Sequence, residues 1–271
     1  MHKDNRLSQH GRHSFVVLLH KDSPHLPACL DSLAAQSERS TVILSTGTPS
    51  LYQKKISKAY GLRLAVNRQR SVIADDWNFA FKQTKSPYVT LAHQDDIYEP
   101  EYARMLCDAM DRHDDSLIGF TDYGEICGDA HIPRNINLMI KRILLLPFFA
   151  TGRIAWVWLK RLLLSFGSPI PCPAVTYHRA QLSSFSFSRD FSINLDWDAW
   201  LRLADVNGAF VRVPRVLMWH RIHARSETSS GIAGKRRQDE DARLFSRALP
   251  PVIADMIRSL YSLSYASNKR A

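Results

Sequence analysis

The sequence predicts an α/β protein, a central and mostly parallel sheet flanked by helices, on three observations. Short apolar, β-branched runs alternate with helical periodicities from residue 14 to 124. The runs lead into polar loops, "HKDSP", "STGTPS" and "AHQDD", and the carboxyl ends of parallel strands are where ligands bind in open α/β sheets. The 271 residues are 45% hydrophobic and 23% charged, enough apolar material for one large domain and too much for a disordered chain.

The elements follow in order. "HSFVVLL" (13–19) is a strand, and "LPACLDSLAAQS" (26–37) places Leu26, Leu30 and Leu33 at helical spacing. "STVILSTGTPS" (40–50) is a strand and a loop punctuated by Gly47 and Pro49. "LYQKKISKAYG" is a helix stopped by Gly61, and "LRLAV" (62–66) a third strand. "SVIADDWNFAFKQTK" (71–85) is a helix, "PYVTLA" a fourth strand, "EPEYARMLCDAMDRH" a helix and "SLIGFTDYGE" a fifth strand. Beyond residue 130 the alternation stops. A basic and apolar stretch fills 138–166, "SPIPCPAVTYHRAQL" is extended and Pro-rich, and "LDWDAWLRLADVNG" (195–208) is a helix closed by Gly208. "AFVRVPRVLMWHRIH" (209–223) is extended, and the tail from 235 is helical with a break at Pro250-Pro251.

Composition narrows the function. Cys29, Cys107, Cys127 and Cys172 form no CxxC pair, which fits a reducing compartment better than a zinc ribbon or a disulfide scaffold. The polar start "MHKDNRLSQHGRHS" has no hydrophobic signal core, so a cytoplasmic protein is expected. No apolar run is long enough for a spanning helix. The net charge of +10 suits nucleic acid, an anionic membrane surface or an anionic substrate such as a nucleoside diphosphate.

The stretch "SPYVTLAHQDDIYEP" (86–100) carries the chemistry. Two adjacent carboxylates, Asp95 and Asp96, stand at a strand end with His93 just upstream. Asp-Asp after a strand is often a turn with a helix cap. Here Asp196 and Asp198 open a helix downstream, and His223 ends the run "WHRIH". A strand-end Asp, a distant His and a separate Asp make a hard-metal site plus a base. Mg²⁺ or Mn²⁺ suits few carboxylates with phosphate oxygens supplying the rest. Neither GxxxxGK[ST] nor GxGxxG is present.

An ordered series of motifs between 13 and 230 resembles the family 2 glycosyltransferases with the GT-A fold. "SFVVLLHKDSPHLPACLDSLAAQ" resembles the opening strand, turn and helix of that family. "ADDWNFAF" with "SPYVTLAHQDDIYEPEYARML" resembles its central helix and metal strand, with HxD in place of DxD. "IPCPAVTYHRAQL", "LDWDAWLRLA" and "WHRIHARSETS" resemble its acceptor-side strand, catalytic helix and closing metal-ligand strand.

The resemblance implies that Asp95 binds the cation, Mn²⁺ or Mg²⁺, on the donor diphosphate and that His223 completes the metal shell. His93 takes the first triplet position, toward the ribose or nucleotide. Asp96 faces the sugar or caps the next helix, and Asp196 is the general base. Lys21, Asp22 and the loop with Ser45 and Thr46 line the base and ribose, while Asn78 either touches the donor or ties helix to loop. Two departures stand out. Relatives carry acid, "DDGS", where this chain has Ser45-Thr46-Gly47-Thr48, which removes the base-recognising carboxylate, and Leu195 replaces the acid before Asp196. The expected parts are a polar start (1–12), a nucleotide-sugar half (13–124), an acceptor and catalytic half (125–234) and a helical tail (235–271).

Plainer readings stand beside these. Asp196 can be only an N-cap, Asp198 a first-turn acid, Trp197 and Trp200 packing residues, and His220 and Arg221 ordinary strand-end residues. The expected donor is a UDP-, GDP- or dTDP-sugar and the acceptor a saccharide or lipid-linked saccharide of surface-polysaccharide synthesis. Rival classes are a nucleotidyltransferase or other metal-dependent nucleotide enzyme, and a nucleic-acid-binding module. The second ranks low because the most conspicuous cations are mixed with leucines. For 138–166 two readings stay open. It packs on the core or a second subunit, or it lies on the cytoplasmic leaflet with Lys141, Arg142, Lys160 and Arg161 at the headgroups and Leu144, Leu145, Trp156 and Trp158 dipping inward.

Overall fold

The four N-terminal runs form β1 (His13–Leu19), β2 (Ser40–Thr46), β3 (Arg63–Val66) and β4 (Tyr88–His93). The computed structural model describes residues 11–69, 72–222 and 236–257, so His223 lies outside the described residues. β1 pairs in parallel with β2 and β4, and β2 with β3. Crossovers are made by α1 (Leu26–Ala34), α2 (Leu51–Tyr60) and α3 (Ile73–Phe81). Their ends have local causes. Ser50 Oγ accepts the Gln53 N–H to cap α2, and Gly61 closes it at φ 63°, a left-handed position that costs glycine little. The helix expected over 71–85 is regular only from Ile73 to Phe81.

The rest of the chain completes the same sheet with β5 (Ile97–Tyr98), β6 (Ser116–Cys127), β7 (Ala130–Ile132), β8 (Arg153–Ile154), β9 (Val175–His178) and β10 (Ala209–Ile222). The order is β3-β2-β1-β4-β9-β6-β10-β5, with β7 on β6 and β8 on β10. The fifth run, β6, does not lie beside β4. The short β9 enters between them, antiparallel to both, and β6 pairs in parallel with β10. The Pro-rich segment before β9 is thus an approach to the centre of the sheet.

Helices α4 (Tyr102–Met110), α5 (Ile136–Leu144), α6 (Val157–Ser165), α7 (Leu195–Ala204) and α8 (Arg236–Ala248) cover the sheet. The chain is helical again over 251–257, after the expected proline break. One core joins β1, β4, β6 and β9 to α7 and α8 through Val16, Leu91, Phe120, Tyr177, Trp200 and Phe245. A second lies under α1 and α4.

The 138–166 stretch forms α5 and α6, and its cations correct the headgroup expectation. Lys141 Nζ donates to Tyr123 Oη at 2.6 Å, and Arg142 donates to the Tyr123 and Pro133 carbonyls. Lys160 is fully buried and donates to the Val206 and Gly208 carbonyls at 2.7 and 2.8 Å. Arg161 is exposed and paired with Asp205. What faces outward is apolar: Ile136, Met139, Ile140, Ile143 and Phe149, with Trp156 and Trp158 stacked at 6.2 Å. Leu145, expected to dip into lipid, is buried in the protein. No helix among the described residues is long and apolar enough to cross a membrane.

Candidate active site

The carboxyl end of β4 delivers His93-Gln94-Asp95-Asp96, and the two carboxylates diverge. Asp95 Oδ1 accepts a short hydrogen bond from Ser23 Oγ in the loop after β1. Asp96 is 1% exposed and turns the other way. Its Oδ1 accepts from His220 Nδ1 and from the Arg221 N–H, both at 3.0 Å. Arg221 Nε also donates to the Asp95 carbonyl at 3.1 Å. The end of β10 is therefore fastened to the end of β4. Asp96 does not cap α4, whose N-cap residue is Glu101; its Oδ1 is turned to β10, where His220 and Arg221 hold it.

Electrostatics follow from that packing. Burial pushes the Asp96 carboxyl up, but the charge and hydrogen bond of His220, with His93 and the Arg221 N–H, outweigh it and hold it below its usual range. Burial lowers His220, and Asp96 more than restores it, leaving the imidazole above its ordinary value. His93 is lowered, by burial first, and so tends to stay neutral. Its ring packs on Trp77 at 5.6 Å.

The loops after β1 and β2 make the adjoining wall. Lys21 has φ 56°, the only positive φ at a non-glycine among the described residues, a region that costs side-chain-bearing residues energy. It is pinned there by Lys21 N–H to Thr48 Oγ1 at 3.0 Å and by Gln53 Nε2 to the Lys21 carbonyl at 2.7 Å. Asp22 accepts from Ser50 Oγ at 2.6 Å. Ser45 and Thr46 are buried, and Thr46 Oγ1 accepts the Thr48 N–H at 3.0 Å. Gly47 is required by a close approach. A Cβ there would sit 2.5 Å from the Asp76 carboxylate of α3. A carboxylate thus reaches the loop that lacks one in sequence, supplied from α3. Asn78 uses both ends of its amide on Phe187, donating to its carbonyl at 2.9 Å and accepting its N–H at 2.7 Å, which is the helix-to-loop tie.

Asp196 is the second residue of α7, whose N-cap is Asn194, so the N-cap reading does not hold. Its Oδ1 accepts the Trp197 N–H at 2.7 Å. Burial raises its carboxyl above the ordinary value against the lowering effects of the Trp197 N–H, Arg237, Lys141 and the Cys172 N–H. Asp198 is 2% exposed and clamped by Arg202 and Arg247 at 2.8 and 2.7 Å. Trp197 and Trp200 are buried, with indole N–H groups donating to Leu164 and Ile170 carbonyls, which is the packing role.

Among the described residues no group of three or more His, Cys, Asp or Glu forms a metal cage. What fits a divalent cation is the chemistry of a single strand-end carboxylate, which a hard cation can share with diphosphate oxygens. Asp96 Oδ2 and His93 Nε2 are buried beside Asp95 without a hydrogen-bond partner among the described residues, an acceptor and a ring nitrogen left over at this strand end. Sequence reasoning missed Ser23, Asp76, His220 and Arg221 as participants. The Ser-Pro turn at 23–24 and the "HRIH" run were the available signals.

Residues 14–164, more than half of the chain, match the family described as Glycosyl transferase family 2. The chain belongs to that family and is a glycosyltransferase. No curated protein matches its sequence. Among solved structures, S. aureus TarS (residues 1–349) is similar at TM-score 0.61 and 16% identity, over 91% of this chain and 69% of that one. The mannosyltransferase PcManGT from Pyrobaculum calidifontis, in complex with GDP-Man and Mn²⁺, is similar at TM-score 0.63 and 13% identity, over 96% and 74%. Glucosyl-3-phosphoglycerate synthase from Mycobacterium tuberculosis, in complex with UDP, gives TM-score 0.56 and 16% identity, over 89% and 81%. At these identities the likeness establishes the fold, GT-A.

Proposed function

We propose that the enzyme transfers a sugar, with inversion, from a UDP-, GDP- or dTDP-sugar to a hydroxyl of a saccharide or lipid-linked acceptor. The setting is surface-polysaccharide synthesis in the cytoplasm or on the inner face of its membrane. The observation that carries this is the division of labour between two acids. Asp95 stands at the sheet end, held by Ser23 and by Arg221 on its carbonyl. Asp196 stands at a helix start with a raised pKa.

Asp95 and His223 would hold the cation together with the donor's diphosphate. The cation, Mn²⁺ or Mg²⁺, offsets charge on the leaving diphosphate as a Lewis acid. Lys21, Asp22 and the 45–48 loop border the nucleotide, and His93, neutral, offers it a hydrogen bond without negative charge. The acceptor oxygen attacks the anomeric carbon as its bond to the diphosphate oxygen breaks, and Asp196 takes the hydroxyl proton. A carboxylate raised above its usual pKa is a better base for that proton. One metal site and one base imply single displacement with inversion.

The test is turnover with a donor panel, Mn²⁺ and a broad pool of lipid-linked and oligosaccharide acceptors. Release of nucleoside diphosphate with a new glycoside is expected, and a new sugar nucleotide or a nucleoside monophosphate as product would overturn it. Asp196→Asn is expected to lower kcat by roughly 10²-fold or more while donor binding survives. Turnover near wild type in that variant would remove Asp196 from the role.

A further inference from the structure

Helix α8 lies outside the family match, which ends at residue 164, yet it grips the start of the catalytic helix on both sides of Asp196. Glu240 is 5% exposed and places both oxygens on the backbone just before α7. Oε1 accepts from the Ser192 N–H at 2.9 Å and from Ser192 Oγ at 2.8 Å. Oε2 accepts from the Ile193 and Asn194 N–H groups at 3.0 and 2.9 Å. The N-cap residue Asn194 makes no side-chain cap of its own. Its amide donates instead to Asp241 Oδ1 at 2.7 Å. Beyond Asp196, Phe245 packs on Trp197 at 5.0 Å, and Arg247 donates to Asp198 at 2.7 Å.

Packing alone would need only the apolar contacts. A carboxylate gathering consecutive N–H groups at a helix start does something else. It fixes the backbone there as an N-cap does, and it sits favourably at the positive end of the helix. We propose that Glu240, seconded by Asp241, is a positioning residue for the transfer reaction: it sets the N-terminal turn of α7 and thereby the place of the Asp196 carboxylate against the acceptor hydroxyl. This rests on the reading of Asp196 as the base. Helix α8 then completes the active site without touching substrate. A displacement of about 1 Å at a reacting group can cost on the order of 10²-fold in rate, so small loosening of this turn has a large kinetic effect.

The experiment uses the full chain and Glu240→Gln, with Asp196→Asn as reference. Gln keeps the shape and one acceptor but turns an NH₂ group toward N–H groups that need an acceptor. A fall in kcat of roughly 10- to 10²-fold is expected, with donor KM and calorimetric affinity for nucleoside diphosphate and Mn²⁺ within about twofold. The acid limb of kcat should also move to lower pH. A loosened turn wets Asp196 and lets its raised carboxyl fall toward the ordinary value, with Lys141 of α5, Arg237 of α8, Tyr177 of β9 and Cys172 as its titratable and charged neighbours. Restoration of part of the rate in Glu240→Asp, which keeps the charge, supports the assignment. Should Glu240→Gln fail to fold, Glu240→Asp gives the same division, a lower kcat at unchanged donor KM. Wild-type kcat and pH profile in Glu240→Gln, beside an inactive Asp196→Asn, would overturn the positioning role and leave the base in place. Turnover surviving in Asp196→Asn would instead remove the base.

Discussion

Asp95 and Asp96 are neighbours in sequence with opposite duties. Asp95 is held by Ser23 of the loop after β1, while Asp96 is sealed in protein and joins β4 to β10. Asp95→Asn keeps the shape and removes the charge, so Mn²⁺-dependent binding of nucleoside diphosphate is expected to be lost in calorimetry while melting changes little. Unchanged affinity would take Asp95 out of the metal shell. Of the site, Asp95 and Asp196 were legible as candidates because each opens or closes an element in a motif that keeps its order along the chain. His220 and Arg221 were not. They read as strand-end residues, and their meaning depends on Asp96, reached only when β10 folds back beside β5 and β6. Asp76 was equally hidden, because nothing in "ADDWN" says which acid a glycine in the loop after β2 must accommodate.

At the scale of elements, α5 shows what periodicity leaves undecided. The basic and apolar character was legible, but neither the helix nor the stripe that faces inward was, because apolar residues occupy most of its circumference. The protein uses Leu138 and Leu145 with Lys141 and Arg142 on the inner side, where Tyr123 and backbone carbonyls satisfy the cations. The outer face keeps Ile136, Met139, Ile140 and Ile143, continued by Phe149, Trp156 and Trp158. Covering one such large side chain is worth about 1.5–3 kcal/mol, and that gain does not depend on ion screening. The screening length falls from about 10 Å at 0.1 M salt to about 3 Å at 1 M. Vesicle flotation or self-association through this face is therefore expected to persist at 1 M salt and to be lost in the double variant Phe149→Glu with Trp156→Glu. Binding that dissolves at high salt would return the role to cations.

For the molecule as a whole, the parallel α/β half was legible and the join to the second half was not. Alternation identifies strands that follow one another, whereas β9 and β10 return from far along the chain to positions set by register. The base of the sheet shows how the halves are bound. Ser40 of β2, His13 of β1, Thr90 of β4 and Thr176 of β9 form one buried chain of hydrogen bonds at 2.9, 3.0 and 2.7 Å. Burial first, then the nearby Arg12 charge, lowers His13 from 6.5 to about 3. The folded protein keeps this imidazole neutral while the unfolded chain protonates it below 6.5. The stability it supports is thus present above pH 6.5 and lost as pH falls toward 3, at about 1.4 kcal/mol per pH unit over that window. Urea unfolding between pH 7 and 4.5 is expected to show a shallower decline for His13→Gln than for wild type. Equal slopes would mean that His13 does not titrate differently on folding.

The insertion of β9 has a consequence for how the chain can be cut or synthesised. Until residues 175–178 arrive, β4 and β6 have no shared neighbour, and each offers a row of unpaired amides and carbonyls in the middle of what becomes the sheet. A fragment ending near residue 164, where the family match stops, leaves β4 open on its β9 side and β6 open on both its β9 and β10 sides, the arrangement that invites pairing between chains. The nascent chain keeps part of that exposure until β10 is made, and its pairing of β4 with β9 spans 86 residues at Thr90 and Thr176, a separation that favours slow folding. Expression as an isolated N-terminal half should therefore give aggregate, and adding β9 alone should not cure it, because β6 still lacks β10.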